Sequence, residues 1–463
     1  MGIKIAIVGA GSQSFGPAVV RDMFLSDLLN EAGVELALMD IVPEHLPDIA
    51  TYAHKVADRL NRTTSISSGT DLDEALHGAD YVITAIEVDR YLYWAQDFHI
   101  PRQYGFMQIY GENGGPGGLF HTLRNMGPML HIAHRMEELC PEAILLNFTN
   151  PESKLCQAIS MLSNVKAYGL CHGVVMGEDQ IATFLQRPAD DLDMAACGMN
   201  HITWFETIRD KATGEDLYPL LREKEREADP LAHWDDLTLS RICLRTFGLW
   251  PSPGANHIGE YVGWAEEFLA SSALQYYYDP VDGHPWETGN IPKFVYSLRE
   301  KPTDVPLFPD GAPSGDGAAS KVAAAEYEGT AKLENLQPSG ELAVPIIEAL
   351  SCGARRELGA VIVPNQGLIP GIDDDIAVEV PATAGKNGIQ PCQMERLPEA
   401  ITAILRTQAS IQKLLVEAYA EGSRRKLLQA LLLDPTAHSY RNAVALINEM
   451  CELQKDLLPT MTW

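Results

Sequence analysis

Positive charge is scarce in this 463-residue chain, where 35 Lys and Arg stand against 63 Asp and Glu for a formal net charge of −28. Neutralising phosphates needs clustered Lys and Arg, so nucleic acid is not an expected partner. No apolar stretch approaches the roughly 18 residues that span a bilayer, so no membrane partner is expected either. Met1-Gly2-Ile3-Lys4-Ile5 runs straight into a strand pattern without charged leader, apolar signal core or cleavage site. The expectation is a cytoplasmic protein. Its eight cysteines, at 140, 156, 171, 197, 243, 352, 392 and 451, lack the dense spacing of a disulfide scaffold and suit a reducing compartment. Internal repeats and low-complexity tracts are absent too.

What is present is an ordinary globular composition, 46% hydrophobic and 21% charged, in a chain longer than one core usually supports. Two packed domains are expected. In the first third, Ile3–Val8, Val34–Met39, Tyr81–Ile86 and Ala143–Phe148 read as buried parallel strands, separated by helix-length segments such as Phe15–Leu29 and His45–Leu60. That alternation predicts an α/β fold with a Rossmann-like doubly wound parallel sheet. The later pattern is mixed, with strand-like pieces at Asp193–Cys197, Ile202–Ile208, Gly359–Val363 and Ala377–Val380. The expected division is a dinucleotide-binding domain over 1–195 and an α+β domain over 196–463 for substrate, metal and oligomerisation, covering the open sheet edge. The Pro/Gly/Asp-rich stretch 299–320 reads as a loop or flap. The tail Pro398–Leu458 carries helical periodicity and should pack on the body or on a partner subunit.

The strand Ile5-Ala6-Ile7-Val8 leads into Gly9-Ala10-Gly11-Ser12-Gln13-Ser14-Phe15 and then a helix. Such a glycine turn lets backbone N–H groups and a helix N-terminus meet a pyrophosphate. Ser14 replaces the third glycine of the usual fingerprint. Asp40, ending the second strand, supplies a carboxylate for both adenosine ribose hydroxyls and would repel a 2′-phosphate, which favours NAD over NADP. The expected cofactor-binding residues are Gly9, Gly11, Ser12, Ser14, Phe15, Asp40, Glu87 and Asn147.

A plain dehydrogenase should continue with one catalytic His oriented by a carboxylate. This chain carries instead Tyr110-Gly111-Glu112, Gly114-Gly115-Pro116-Gly117-Gly118-Leu119-Phe120-His121-Thr122-Leu123-Arg124, Asn147-Phe148-Thr149-Asn150-Pro151, Cys171-His172-Gly173 and Asn200-His201. Pro364-Asn365-Gln366-Gly367 and Asp374-Asp375-Ile376-Ala377-Val378-Glu379-Val380-Pro381 follow. As an ordered set these resemble glycoside hydrolase family 4, glycosidases that use NAD and a divalent metal, over most of the chain.

The resemblance implies that Cys171 and His201 bind the metal, manganese being the expected ion. Their soft and borderline donors leave most of a coordination sphere open for water and sugar hydroxyls. It further implies His172 as leaving-group acid and Tyr261 as base, with His257 and Glu260 competing for that role. Glu112, His121, Arg124, Asn150 and His257 are expected at the sugar, Glu112 ordering its hydroxyls or a metal-bound water. For Arg124 a structural ion pair is an equal alternative. The implied chemistry is transient oxidation at C3 by NAD, elimination across C1–C2, water addition and re-reduction, outside the two-carboxylate scheme of most glycosidases.

Cys171-His172-Gly173-Val174 resembles the branch acting on α-glycosides of non-phosphorylated sugars, in this form uronides; a 6-sulfonated glucoside fits the same logic. An anionic C6 group would want an Arg fork, for which Arg90, Arg102 and Arg124 are the visible options. The expected assembly is a homodimer or homotetramer. Two other classes compete: an NAD-dependent 2-hydroxyacid or polyol dehydrogenase, and a non-catalytic NAD- or redox-sensing protein. The first leaves Cys171 and His201 unexplained, and the second lacks an appended partner domain.

Overall fold

The computed structural model describes residues 2–12, 15–230, 234–268, 333 and 336–463. The 299–320 stretch expected to form a flap lies outside the described residues.

The described strands form one 12-stranded sheet. Its parallel half is built on β1 (Ile3–Val8), flanked by β2 (Val34–Met39) with β3 (Ser65–Gly69) on one side and β4 (Tyr81–Thr84), β5 (Ile144–Asn147) and β6 (Lys166–Gly169) on the other. In β1 the run from Ile5 to Val8 is at most 3% exposed, which is why it reads as continuous rather than alternating hydrophobicity. The fold is the predicted α/β class.

The later strands are β7 (Leu192–Met199), β8 (Ile202–Asp210), β9 (Pro251–Ser252), β10 (Arg356–Pro364), β11 (Ala377–Gly385) and β12 (Gly388–Pro391). They do more than cover the edge of the first half. β10 pairs antiparallel with β6 through Ile362 and Gly169, and the sheet continues through β11, β7, β8 and β9. The boundary drawn at 195/196 falls inside β7.

Local chemistry explains where elements depart from their predicted bounds. The helix expected over Phe15–Leu29 breaks at Ser26, whose backbone is extended and whose hydroxyl accepts from Leu29 N at 3.1 Å to start a second helix, Asp27–Ala32. The tail divides into helices Glu399–Glu421, Arg424–Leu433 and Tyr440–Leu453. Its buried residues Ile411, Leu415, Leu446 and Ile447 share a core with Leu119, Leu123, Met126 and Met129 of the 25-residue helix Gly115–Leu139. The tail therefore packs on the body of the same chain.

This architecture sends the connections after β1, β4, β5 and β6 to the carboxyl end of the parallel strands, where ligands of open α/β sheets bind. Gly9–Ser12, Glu87, Asn150–Glu152 and Cys171–His172 all lie on these connections.

Candidate functional site

At the end of β1, Gly9 has φ +86° and donates its N–H to Met39 O at 2.9 Å; a Cβ there would lie 2.3 Å from Ala85 O. Only glycine fits against the end of β4 in this conformation. Two residues on, a Cβ on Gly11 would meet His45 Cβ at 2.4 Å and Asp40 Oδ2 at 2.8 Å. Asp40, 8% exposed, accepts from Gly11 N through Oδ2 and from Val42 N through Oδ1, both at 2.9 Å. The carboxylate expected to face a ribose thus also shapes the turn, and each oxygen keeps a second acceptor site. Ser12 Oγ accepts from Phe15 N at 3.3 Å, and the Phe15 ring stacks on Phe148 at 5.1 Å. Ser14 lies outside the described residues.

Two expected cofactor contacts are engaged elsewhere. The Asn147 side chain is fully buried, its Oδ1 accepting from Thr84 Oγ1 and Thr149 N and its Nδ2 donating to Thr149 O. Its amide holds the turn after β5 rather than facing a ligand, a correction to the expectation. Glu87 turns its carboxylate to His121 Nε2, at 2.8 Å, and to Arg90 and Asn125.

At the other end of the site three chain-distant residues converge. Cys171 follows β6, His201 sits in the two-residue connection between β7 and β8, and Glu152 opens the helix Glu152–Leu162. One ligand atom from each lies within 4.8 Å of the others. His201 is held at φ +68°, a conformation unfavourable by about 1–3 kcal/mol for a non-glycine residue and concentrated at functional sites. Burial, with the Glu379 charge adding to it, raises the Glu152 carboxyl well above its usual range. Burial, then the Glu152 and Glu379 charges, does the same to the Cys171 thiol, and burial with the His257 and Lys154 charges depresses the His201 imidazole. Glu152 Oε2 and His201 Nδ1 are buried with no hydrogen-bond partner. Such orphans are costly unless a ligand completes them, and a thiol, an imidazole and a carboxyl are the donor types a divalent cation takes. The residues fit the metal implied by the sequence, with Glu152 as a third donor.

Around this group, Asn200 and Thr203 donate to Glu379, fixing the chain on either side of His201. The His257 ring stands edge-on to His201 at 4.6 Å and is tilted against Tyr110 at 5.6 Å. Tyr261 is 4% exposed; burial and the Glu260 charge push its phenol well above the ordinary range. Glu260, by contrast, is fully buried and engaged by backbone N–H groups. Its Oε1 accepts from Glu112 N at 2.7 Å and Asn113 N at 3.0 Å, and burial and the Glu112 charge raise its carboxyl to about 8. That anchors the Glu112 loop.

Glu112 Oε1 pairs with Arg90 at 2.9 Å. His121 lies beneath it, Nδ1 on Glu112 O at 2.7 Å. Asn150 Oδ1 is another buried orphan, as is Asn113 Nδ2. His172 is half-exposed, with Nδ1 3.7 Å from Glu341 Oε1 and its pKa depressed by burial. Arg124 does not reach the group. It is fully buried, pairs with Asp97 at 2.8 Å and donates to Gln454 at 3.1 Å, so the ion-pair alternative replaces the expected sugar contact.

Sequence reasoning missed Glu152, Glu379, Lys154 and Glu341. Glu152, directly after the quoted Asn150-Pro151, reads in sequence as an ordinary acid at a helix start. Lys154 carried no signal, yet it is buried, donates to Asn113 O and lies 5.6 Å from the Tyr261 ring centre.

A doubly wound sheet with a glycine turn after β1 and a thiol–imidazole–carboxyl group gathered from the connections after β5, β6 and β7 describes a dinucleotide-type fold with an added metal-fitting centre. The comparisons with known proteins specify the class. The family described as "Family 4 glycosyl hydrolase" matches residues 4–187, and its C-terminal domain matches 196–437. An alpha-glucosidase of Erwinia rhapontici is 30% identical, with 99% of each chain covered. An alpha-galactosidase of Bacillus subtilis is also 30% identical, covering 98% of this chain and 99% of its own. A 6-phospho-alpha-glucosidase from gut microorganisms, solved in complex with NAD and Mn2+, shares the fold at a TM-score of 0.74 and 22% identity over 100% of both chains. The chain belongs to glycosyl hydrolase family 4 and is a glycosidase.

Proposed function

We propose that this glycosidase hydrolyses α-glycosides of a non-phosphorylated hexose, using NAD bound at the Gly9–Gly11 turn and a divalent cation held by Cys171, His201 and Glu152. The observation that carries the reading is the convergence of those three donors, of which Glu152 and His201 are buried with orphaned atoms and Cys171 is partly exposed. The NAD and Mn2+ of the solved 6-phospho-alpha-glucosidase support the cofactor assignment. When bound, NAD supplies a reversible oxidant for the sugar and the cation a Lewis acid that acidifies neighbouring C–H and O–H groups.

The chain's own groups then have distinct tasks. The orphaned Asn150 Oδ1 accepts a sugar hydroxyl, and the Glu112 carboxylate, fixed by Arg90, orders others. Tyr261 takes the C2 proton; with its phenol driven up by burial, it does so only beside positive charge, which Lys154 supplies from one side. His172, half-exposed and next to Glu341, returns a proton to the departing oxygen.

For the sugar, support lies with a neutral α-glucoside or α-galactoside. The three arginines considered for an anionic C6 group are engaged: Arg124 with Asp97, Arg90 with Glu112, Arg102 with Gln108 O. An acidic sugar, uronide or 6-sulfo-glucoside, is the second reading, favoured by an alpha-galacturonidase of Thermoanaerobacter italicus that is 27% identical over 99% of this chain. A homodimer or homotetramer is part of the proposal, and light scattering checks it. The functional test is a panel of aryl α-glycosides, neutral, uronic, 6-sulfonated and 6-phosphorylated, with NAD and manganese and with aglycone and NADH read separately. Aglycone release from a non-phosphorylated member without accumulating NADH is expected. Turnover confined to phosphorylated members, or one NADH per substrate, overturns the proposal.

A further inference from the structure

His172 stands just before the helix Gly173–Leu185, with 38% of its side chain exposed. A side chain that open keeps several rotamers unless neighbours exclude them. Its neighbours here come from a distant segment, Ser339–Glu341. Glu341 Oε1 lies 3.7 Å from His172 Nδ1. Gly340, at φ +87°, passes so close to the ring that a Cβ there would stand 3.4 Å from His172 Cε1. Glycine suits both that conformation and that approach.

The segment is itself pinned on both sides. Asp22, 7% exposed on the helix Gly16–Leu25, accepts from Ser339 N through Oδ1 at 2.9 Å and from Ser339 Oγ through Oδ2. The same hydroxyl accepts from Glu341 N at 3.1 Å, closing the turn around Gly340. Beyond it, the helix Ala343–Ile347 places Val344, Ile346 and Ile347 in the core shared with Val19, Val20 and Met23 of Gly16–Leu25. That helix is also the one that follows the Gly9–Ser12 turn. One element thus carries the glycine turn at its start and, through Asp22, the segment that faces His172.

We propose that Asp22 and Ser339 are positioning residues for His172: their paired hydrogen bonds hold Gly340 and Glu341 against the imidazole and fix its rotamer with Nδ1 toward Glu341, which leaves Nε2 for the oxygen departing from C1. This deepens the proposed function and rests on His172 as the group that returns a proton to that oxygen. Holding one ring nitrogen decides which face of the ring the other presents, as outer contacts do for histidines at metal sites. The step sensitive to Asp22 and Ser339 is therefore aglycone expulsion, while cofactor and metal binding are not.

The test is Ser339→Ala, which removes the hydroxyl shared by Asp22 and Glu341 N, measured on α-glycosides whose leaving groups run from a nitrophenol to a simple alcohol. A nitrophenolate departs with little help from an acid, and an alkoxide does not. Turnover of the nitrophenyl glycoside should stay within about twofold of wild type, and that of the alkyl glycoside should fall about tenfold or more. Ser339→Thr keeps the hydroxyl and should restore the wild-type dependence. NAD and manganese affinities by calorimetry should be unchanged in both variants. His172→Asn should depend more steeply still on the leaving group, and adding Ser339→Ala to it should cost nothing further. An equal loss on every leaving group, or no loss on the alkyl glycoside, overturns the proposal. Without any substrate, 13C relaxation of the His172 Cε1–H, assigned by its loss in His172→Asn, should show a fixed ring in wild type and in Ser339→Thr and a mobile one in Ser339→Ala. A ring equally fixed in Ser339→Ala overturns the proposal as well. If the glycoside panel gives no turnover while the ring loosens in Ser339→Ala, the function reading fails and the positioning stands.

Discussion

The glycine turn and the thiol–imidazole–carboxyl group are built on opposite plans. The glycine-turn end comes from one continuous stretch: β1, the turn and the following helix, joined by Asp40 at the end of β2. What matters there is backbone, with Gly9 and Gly11 present because no Cβ fits. The Cys171–His201–Glu152 end draws on β6, a hairpin and a helix start, and what matters there is buried side-chain chemistry left without partners. The first plan makes a shape, and the second stores unsatisfied polar groups that a ligand completes. Substitutions at the two ends should therefore fail in different ways.

The largest effect is expected at the side-chain end. Cys171→Ser, or exhaustive chelation, should remove detectable glycosidase turnover while calorimetric NAD binding and the thermal melt stay at wild-type values. Full activity in excess chelator after dialysis would contradict the metal assignment. Glu152→Gln keeps the shape but withdraws the negative charge, and should weaken manganese binding about a hundredfold or more, measured by metal titration. An unchanged metal affinity would remove Glu152 from the ligand set.

The glycine-turn end should give graded losses. Gly11→Ala drives a Cβ against His45 and Asp40, a crowding of about 1–3 kcal/mol, which lowers NAD affinity roughly tenfold with metal affinity unchanged. Asp40→Ala should have the smallest effect on affinity and the clearest on choice. The preference for NAD over NADP relaxes, and NAD itself weakens slightly because Gly11 N and Val42 N lose their acceptor. Tight NADP binding to the wild type would contradict the role given to Asp40.

The same contrast explains what was legible beforehand. The doubly wound half, its turn and the motif order are local patterns, and they led to the fold class and the family. β3 escaped because Ser65–Gly69 is a largely polar edge strand with a single apolar residue, Ile66, and β6 because Lys166-Ala167-Tyr168-Gly169 lacks the run of branched apolar residues that marks β4 and β5. Asn147 and Arg124 were assigned to ligands because their residue types suit that work. Thr84 and Asp97, which engage them instead, lie 63 and 27 residues away, and pairing over such spans is set by packing. Glu152 reads in sequence as an ordinary acid at a helix start, favourable toward the dipole; only its burial beside Cys171 and His201 gives it another meaning. The continuation of the sheet from β6 into β10, through Gly169 and Ile362, joins residues 193 apart and has no sequence signature.

We propose that the glycine turn and the thiol–imidazole–carboxyl group serve one reaction, in which the sugar is oxidised, loses a proton at C2, releases its aglycone and is reduced again. The most direct measurement is hydrolysis of an accepted α-glycoside in heavy water with catalytic NAD and manganese, followed early by proton NMR of the released sugar. Deuterium at C2 in the first-formed product, with many turnovers per NAD and no bulk NADH, is the predicted result. Product that retains its C2 hydrogen would contradict the elimination route and separate the glycine turn and the thiol–imidazole–carboxyl group into unconnected functions.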